Sequence, residues 1–168
     1  DKENYWIIDP IDGTTNFLHG IPHFAISIAL RNKQEIASGL IFDPIKNEMF
    51  FAEKNNGAFF NNQRIRVSKK KKIEECLFAT GGKKEINSTL NNRRSGSAAL
   101  DMAYVGAGRY DGYFQKALNI WDIAAGIIIV KEAGGKINDI NCSEIKDHQV
   151  FAASNAVYEK MLENLNNF

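Results

Sequence analysis

Asp9 and Asp12, separated by a Pro-Ile turn and followed by Gly13-Thr14-Thr15-Asn16, are the residues of this chain best suited to chemistry. Two carboxylates that converge with the Ile11 carbonyl between them offer the oxygen ligands that hard divalent cations take. Gly13 lets backbone approach a ligand closely, and Thr14-Thr15-Asn16 offers N-cap chemistry for a helix whose first N–H groups would face an anion. Carboxylates for a cation beside N–H groups for a phosphate point to metal-assisted phosphoryl chemistry. An Asx-rich loop without a metal satisfies the same pattern, because turn chemistry selects the same residue types. Asp122, in the first turn of an apolar segment, reads by itself as an acidic residue complementing a helix dipole, worth about 0.3–1 kcal/mol. His19 and His23 are separated by Gly20 and Pro22, which break a regular helix, so they form no zinc pair. Cys76 and Cys142 lie far apart in no C-x-x-C pattern, which supports neither a zinc site nor a disulfide framework and suits a reducing cytoplasm.

The elements that must position these groups follow from periodicity and turn signals. The apolar run Tyr5-Trp6-Ile7-Ile8 reads as a buried strand delivering polar groups at its end. Strands are expected over 24–30, 36–42 and 48–53, with turns at 31–34 and 43–47, and a further hairpin over 57–65 after Asn55-Asn56-Gly57; together they make an antiparallel meander. A strand over 77–80 ends at Gly81-Gly82, and the polar stretch 83–92 reads as loop. Small and capping residues open a helix over 95–106, a strand follows over 110–115, and 121–135 is a second helix, apolar nearly all round and therefore buried, that ends on Gly134-Gly135. An extended piece begins at Lys136-Ile137, and a last strand over 150–154 precedes an amphipathic helix over 156–165. The plan is a sheet first, then alternating strands and helices.

With 168 residues the chain fits one domain, 1–168, with a sizeable core. A net charge of +1 with 24% charged residues gives no global pull toward nucleic acid or a membrane surface, and no apolar segment is long enough to span a bilayer. Lys69 to Lys72 is the one local hint of a polyanion contact, and the acidic residues that follow it read more simply as a solvated face.

Two segments, taken together, carry a resemblance. Residues 6–17 resemble the first signature of the inositol monophosphatase family, and Trp-Asp-Ile-Ala-Ala-Gly at 121–126 with Val-Lys-Glu-Ala-Gly-Gly at 130–135 resembles the second, with Arg93-Arg94-Ser95-Gly96-Ser97-Ala98-Ala99 in order between them. The pattern is most similar to the bacterial extragenic-suppressor branch. The resemblance implies an α+β fold of layered sheets and helices, a homodimer, and Mg²⁺-dependent hydrolysis of inositol monophosphate or a similar small sugar or polyol phosphate. It implies that Asp9 bridges two metals, that the Ile11 carbonyl completes the first site, and that Asp12 and Asp122 bind the second. Gly13 and Thr14 would hold phosphate by backbone N–H groups, the Thr14 hydroxyl would orient the attacking water, and Asp12, Asp122, Ala98 and Gln115 would line the polyol.

The chemistry suits such a site. Phosphate-monoester hydrolysis is among the slowest uncatalysed reactions, accelerated by up to ~10²¹-fold, and two cations about 3.5–4 Å apart can activate the attacking water and stabilise the leaving oxygen. All-oxygen ligands favour Mg²⁺ over zinc. Three departures from the family pattern bear on competence. The family carries N-terminal helices, a hairpin and a Gly-Glu-Glu motif with a further metal ligand; this chain starts after them at Asp1 and is expected to be a truncated, impaired form. The stretch from Thr80 to Arg93 is shorter than usual, and Gln115 replaces a glutamate, which leaves open the choice between inositol and another polyol phosphate. Two alternatives stay open: a non-catalytic member acting as a protein- or RNA-binding factor in transcription or ribosomal-RNA processing, and a phosphatase of fructose bisphosphate or nucleotide-derived bisphosphates.

Overall fold

A computed structural model describes residues 4–81 and 90–165 of the chain. Its first half is the expected meander. Strands β1 (Asn4–Asp12), β2 (Ala25–Asn32), β3 (Glu35–Asp43), β4 (Glu48–Glu53), β5 (Gly57–Phe60) and β6 (Gln63–Arg64) pair antiparallel in chain order, with a short helix α1 (Thr14–Leu18) between β1 and β2. The turns form where asparagines mark them: Asn47, Asn55, Asn61 and Asn62 all have positive φ, which asparagine tolerates better than most residues.

The second half supplies β7 (Phe78–Ala79), β8 (Asn92–Arg93), α2 (Ala98–Gly106), β9 (Gly112–Leu118), α3 (Ile120–Glu132), β10 (Gly135–Ile137), β11 (His148–Ser154) and α4 (Tyr158–Asn164). Its sheet has the order β10-β11-β9-β7-β8, with β7 parallel to both neighbours. The loop expected over 83–92 falls mostly outside the described residues; its last residue, Asn92, opens β8.

Helices α2 and α3 pack on each other between the two sheets. α3 touches β1 to β5 on one side and β10 and β11 on the other, while α4 covers the far face of the second sheet. The fold is therefore α+β in layers. The first sheet admits α3 because the row of residues facing it is small apart from Ile7 at the edge. Ile7, Ala29, Gly39, Ala52 and Ala58 pair across β1 to β5, and a Cβ added at Gly39 would stand 2.8 Å from Ala125 Cα. The next row, Ile8, Ile28, Leu40, Phe51 and Phe59, is large and points to the opposite face. The large-small alternation of the sequence is thus a helix-facing row and an outward row.

Two expectations change. β1 is an edge strand, not a buried one: Trp6 and Ile8 are 61% and 54% exposed, and only Ile7 of its apolar run is buried. The helix expected from Ser95 begins at Ala98, because Ser97 stays extended and caps it.

Candidate active site

Asp9 and Asp12 reach the same place because β1 carries a bulge. Asp9 pairs with Ser27 and Asp12 with Ala25, so β1 holds one residue more than β2 between these pairs. In a regular strand, residues three apart face opposite sides; the extra residue restores Asp9 and Asp12 to one side. Pro10 is tolerated in the strand for the same reason. Ile11 N then donates to Asp9 Oδ1 at 3.0 Å, and Thr14 Oγ1 donates to the Ile11 carbonyl at 2.9 Å. Gly13 caps α1 at φ +90°, with the His23 and Gly96 carbonyls 3.2 and 3.3 Å from where a Cβ would be. The side chains of Thr14 to Asn16 do not cap this helix, contrary to expectation. The Thr14 hydroxyl is spent on the Ile11 carbonyl, and Asn16 Nδ2 donates to the His23 and Ser95 carbonyls.

Asp12 Oδ2 accepts from Ser97 Oγ and, at 3.0 Å, from Ala99 N at the start of α2. Asp122 arrives on α3, which starts one residue earlier than expected with Asn119 as its cap. Asn119 N and Nδ2 both donate to Asp122 Oδ2, at 2.7 and 3.2 Å. The Ser27 hydroxyl, opposite Asp9, reaches the Trp121 carbonyl at 3.5 Å and ties α3 to the same strand pair.

The result is a group of three carboxylates, Asp9, Asp12 and Asp122, with one oxygen from each all within 4.8 Å of one another. Each has one oxygen held by protein donors, and Asp9 and Asp122 also meet each other within hydrogen-bond reach. Burial pushes the Asp12 carboxyl up to about 7, the donors from Ser97 and Ala99 notwithstanding, and the neighbouring Asp9 and Asp122 charges push the same way. Asp122 is likewise raised, by burial first and by Asp9. Three carboxylates held this close, with no basic side chain bonded to them among the described residues, offer oxygen donors of the kind a divalent cation takes. None of His19, His23 and His148 joins this group.

Residues 1–167 match the inositol monophosphatase family. The chain belongs to that family. It is 40% identical to the inositol-1-monophosphatase of Caulobacter vibrioides, over 98% of this chain and 72% of that protein. It is 41% identical to the Nus factor SuhB of Haemophilus influenzae, over 98% of this chain and 68% of that protein. Among solved structures, the extragenic suppressor protein suhB from Bartonella henselae superposes with a TM-score of 0.92 at 43% identity, covering 98% of this chain and 73% of that one. The chain spans 57–72% of the length of such curated relatives.

Two other residues expected from the resemblance, Ala98 and Gln115, stand outside the carboxylate group. Ala98 opens α2, one residue before the N–H that holds Asp12. Gln115, on β9, makes no hydrogen bond to the aspartates among the described residues. Its Oε1 accepts from Tyr113 OH at 2.7 Å, and Tyr113, fully buried, feels the charges of Asp101, Asp12 and Asp122, which raise its pKa further after burial. Sequence reasoning missed Ser97 and Asn119 as partners of the carboxylates, and gave Asn16 a capping role in place of its bonds to His23 and Ser95. A cap signal existed for Asn119, which stands three residues before Asp122; for Ser97 the local signal marks a helix start, and its partner Asp12 is 85 residues distant.

Proposed function

We propose that this protein is a Mg²⁺-dependent phosphomonoesterase acting on inositol monophosphate or a similar small sugar or polyol phosphate. The observation that carries the reading is the carboxylate group within 4.8 Å, each member with one oxygen pinned by protein donors. Bound divalent cations supply charge neutralisation of the phosphate and activation of water. The residues fit them: Asp9, the Ile11 carbonyl, Asp12 and Asp122 would hold the cations. Gly13 and Thr14, at the start of α1, would offer backbone N–H groups to the phosphate. The Thr14 hydroxyl, its proton committed to the Ile11 carbonyl, keeps acceptor capacity and would orient a water. Ala98, Gln115, Asp12 and Asp122 would line the polyol. We place the protein in the cytoplasm as a homodimer built on one family domain.

The test is phosphate release from inositol 1-phosphate, with fructose 1,6-bisphosphate and a nucleotide-derived bisphosphate as competing substrates, for this chain and any longer form its gene encodes. Release that needs Mg²⁺ and is inhibited by Li⁺ is expected from the longest form. No release from any of these esters at any Mg²⁺ concentration would sink the enzyme reading.

A second reading is favoured by the relative named Nus factor SuhB: a binding role in transcription, with or without turnover. The lysine run gives it little support, since Lys70 pairs with buried Asp111 and Lys72 with Glu75. Binding to transcription components that survives Asp12→Asn, with no phosphatase activity in the parent, would favour this second role.

A further inference from the structure

We propose that Ser97 is a positioning residue for Asp12: its hydroxyl holds one oxygen of that carboxylate so that the other is turned toward the cation site. The inference rests on the metal reading given above. Leu100 N donates to Ser97 Oγ at 3.2 Å, so the hydroxyl's acceptor side serves the helix and its single proton goes to Asp12 Oδ2. Ala99 N, the next donor along the same helix, goes to that same oxygen at 3.0 Å, while Asp12 Oδ1 takes no hydrogen bond among the described residues. Both side chains are buried, so water does not substitute freely for the missing donor if one is removed.

Ser97 is itself held. Its N–H donates to Ser95 Oγ at 3.2 Å, Ser95 Oγ donates to the buried Asp101 at 2.7 Å, and Asn16 Nδ2 donates to the Ser95 carbonyl at 2.9 Å. Asn16 sits in α1, directly after Asp12-Gly13. The carboxylate and its donor are therefore joined by two routes, the direct hydrogen bond and the α1 to Ser95 link. This is the arrangement of an outer-shell partner, whose loss typically costs 10–100-fold in metal affinity.

Ser97→Ala, Ser97→Gly and Ser97→Thr separate positioning from capping. Glycine retains most of the helix capping and threonine retains the hydroxyl. Mg²⁺ affinity is measured by titration calorimetry on the full chain, and folding of the metal-free proteins by circular dichroism. Ser97→Ala and Ser97→Gly should bind Mg²⁺ about 10-fold or more weakly, and Ser97→Thr should bind as the parent does. Parent-like affinity in a folded Ser97→Ala or Ser97→Gly chain would overturn the inference, as would failure of both to fold, which would make the hydroxyl a structural cap. Absence of Mg²⁺ binding by the parent would overturn the metal reading itself, and this inference with it.

Discussion

Asp12 is held in its protonated form up to about pH 7 by burial, against an ordinary 3.8, and that shift has consequences in both directions. Between those values the native state keeps a proton that the unfolded chain has released, so this group's contribution to stability falls as pH rises from about 4 to about 7. The shift is worth about 4 kcal/mol in the metal-free protein. Glu48 acts oppositely: Arg109 holds it below its ordinary 4.5, so its stabilisation is present above that value and lost in stronger acid. Metal-free chain should therefore melt highest at about pH 4 to 4.5, and Mg²⁺ should raise the melting temperature more at pH 8 than at pH 5. Equal Mg²⁺ shifts at the two pH values would contradict the site. The same logic makes Asp12→Asn informative. It removes a buried like charge while keeping the shape, so the metal-free variant should be more stable than the parent at pH 8 by up to about 4 kcal/mol, yet lose Mg²⁺ binding and all phosphate release. Asp122→Asn should lose both as well; activity surviving in the two variants would place the chemistry elsewhere.

The decisive element is α3, which delivers Asp122 and is buried on nearly every side. Its distance from the first sheet is set by Gly39, where a Cβ would meet Ala125 Cα and O at 2.8 and 2.9 Å and Ile128 Cγ2 at 2.7 Å. Two of those atoms are backbone and cannot rotate away. Gly39→Ala should push the helix outward, cost about 1–3 kcal/mol of stability by denaturant titration, and weaken Mg²⁺ binding although Gly39 touches no ligand. A Gly39→Ala chain with parent stability would show that α3 has slack. Asn119→Ala probes the other end of the coupling, since both Asn119 donors go to Asp122 Oδ2. The side-chain donor is lost while the backbone donor stays, and the expected loss is about 0.5–2 kcal/mol from the cap.

At the scale of the whole molecule, the outward row of the first sheet stands out, an apolar stripe of Ile8, Ile28, Leu40, Phe51 and Phe59 flanked by exposed Trp6. Contiguous apolar surface of this kind binds apolar probes. The chain should enhance anilinonaphthalene sulfonate fluorescence at pH 7.5 while cooperatively folded, and Ile28→Thr with Leu40→Thr should reduce the signal without loss of the far-ultraviolet spectrum; an unchanged signal would place the dye elsewhere. No helix among the described residues is long and apolar enough to cross a membrane. Much of this architecture was legible locally. Period-two alternation and asparagine turns marked the meander and all-round apolarity marked α3 as buried, whereas the turn expected between Asp9 and Asp12 is a bulge within β1. Local sequence could not show that β1 lies at an edge, because an apolar strand looks alike whether one face or both are covered. Nor could it choose between Asp122 as a dipole partner and Asp122 as a ligand, since one residue in a first turn satisfies both. The tertiary structure decided the first point and, for the second, brought Asp122 beside Asp9 and Asp12. A single-residue bulge turns Asp9 and Asp12 to one side, a row of small residues lets α3 lie close enough to bring Asp122 to them, and Ser97, 85 residues away, closes on Asp12. Distances of that kind depend on how layers pack, and packing is a property of pairs of elements that no single stretch of sequence contains.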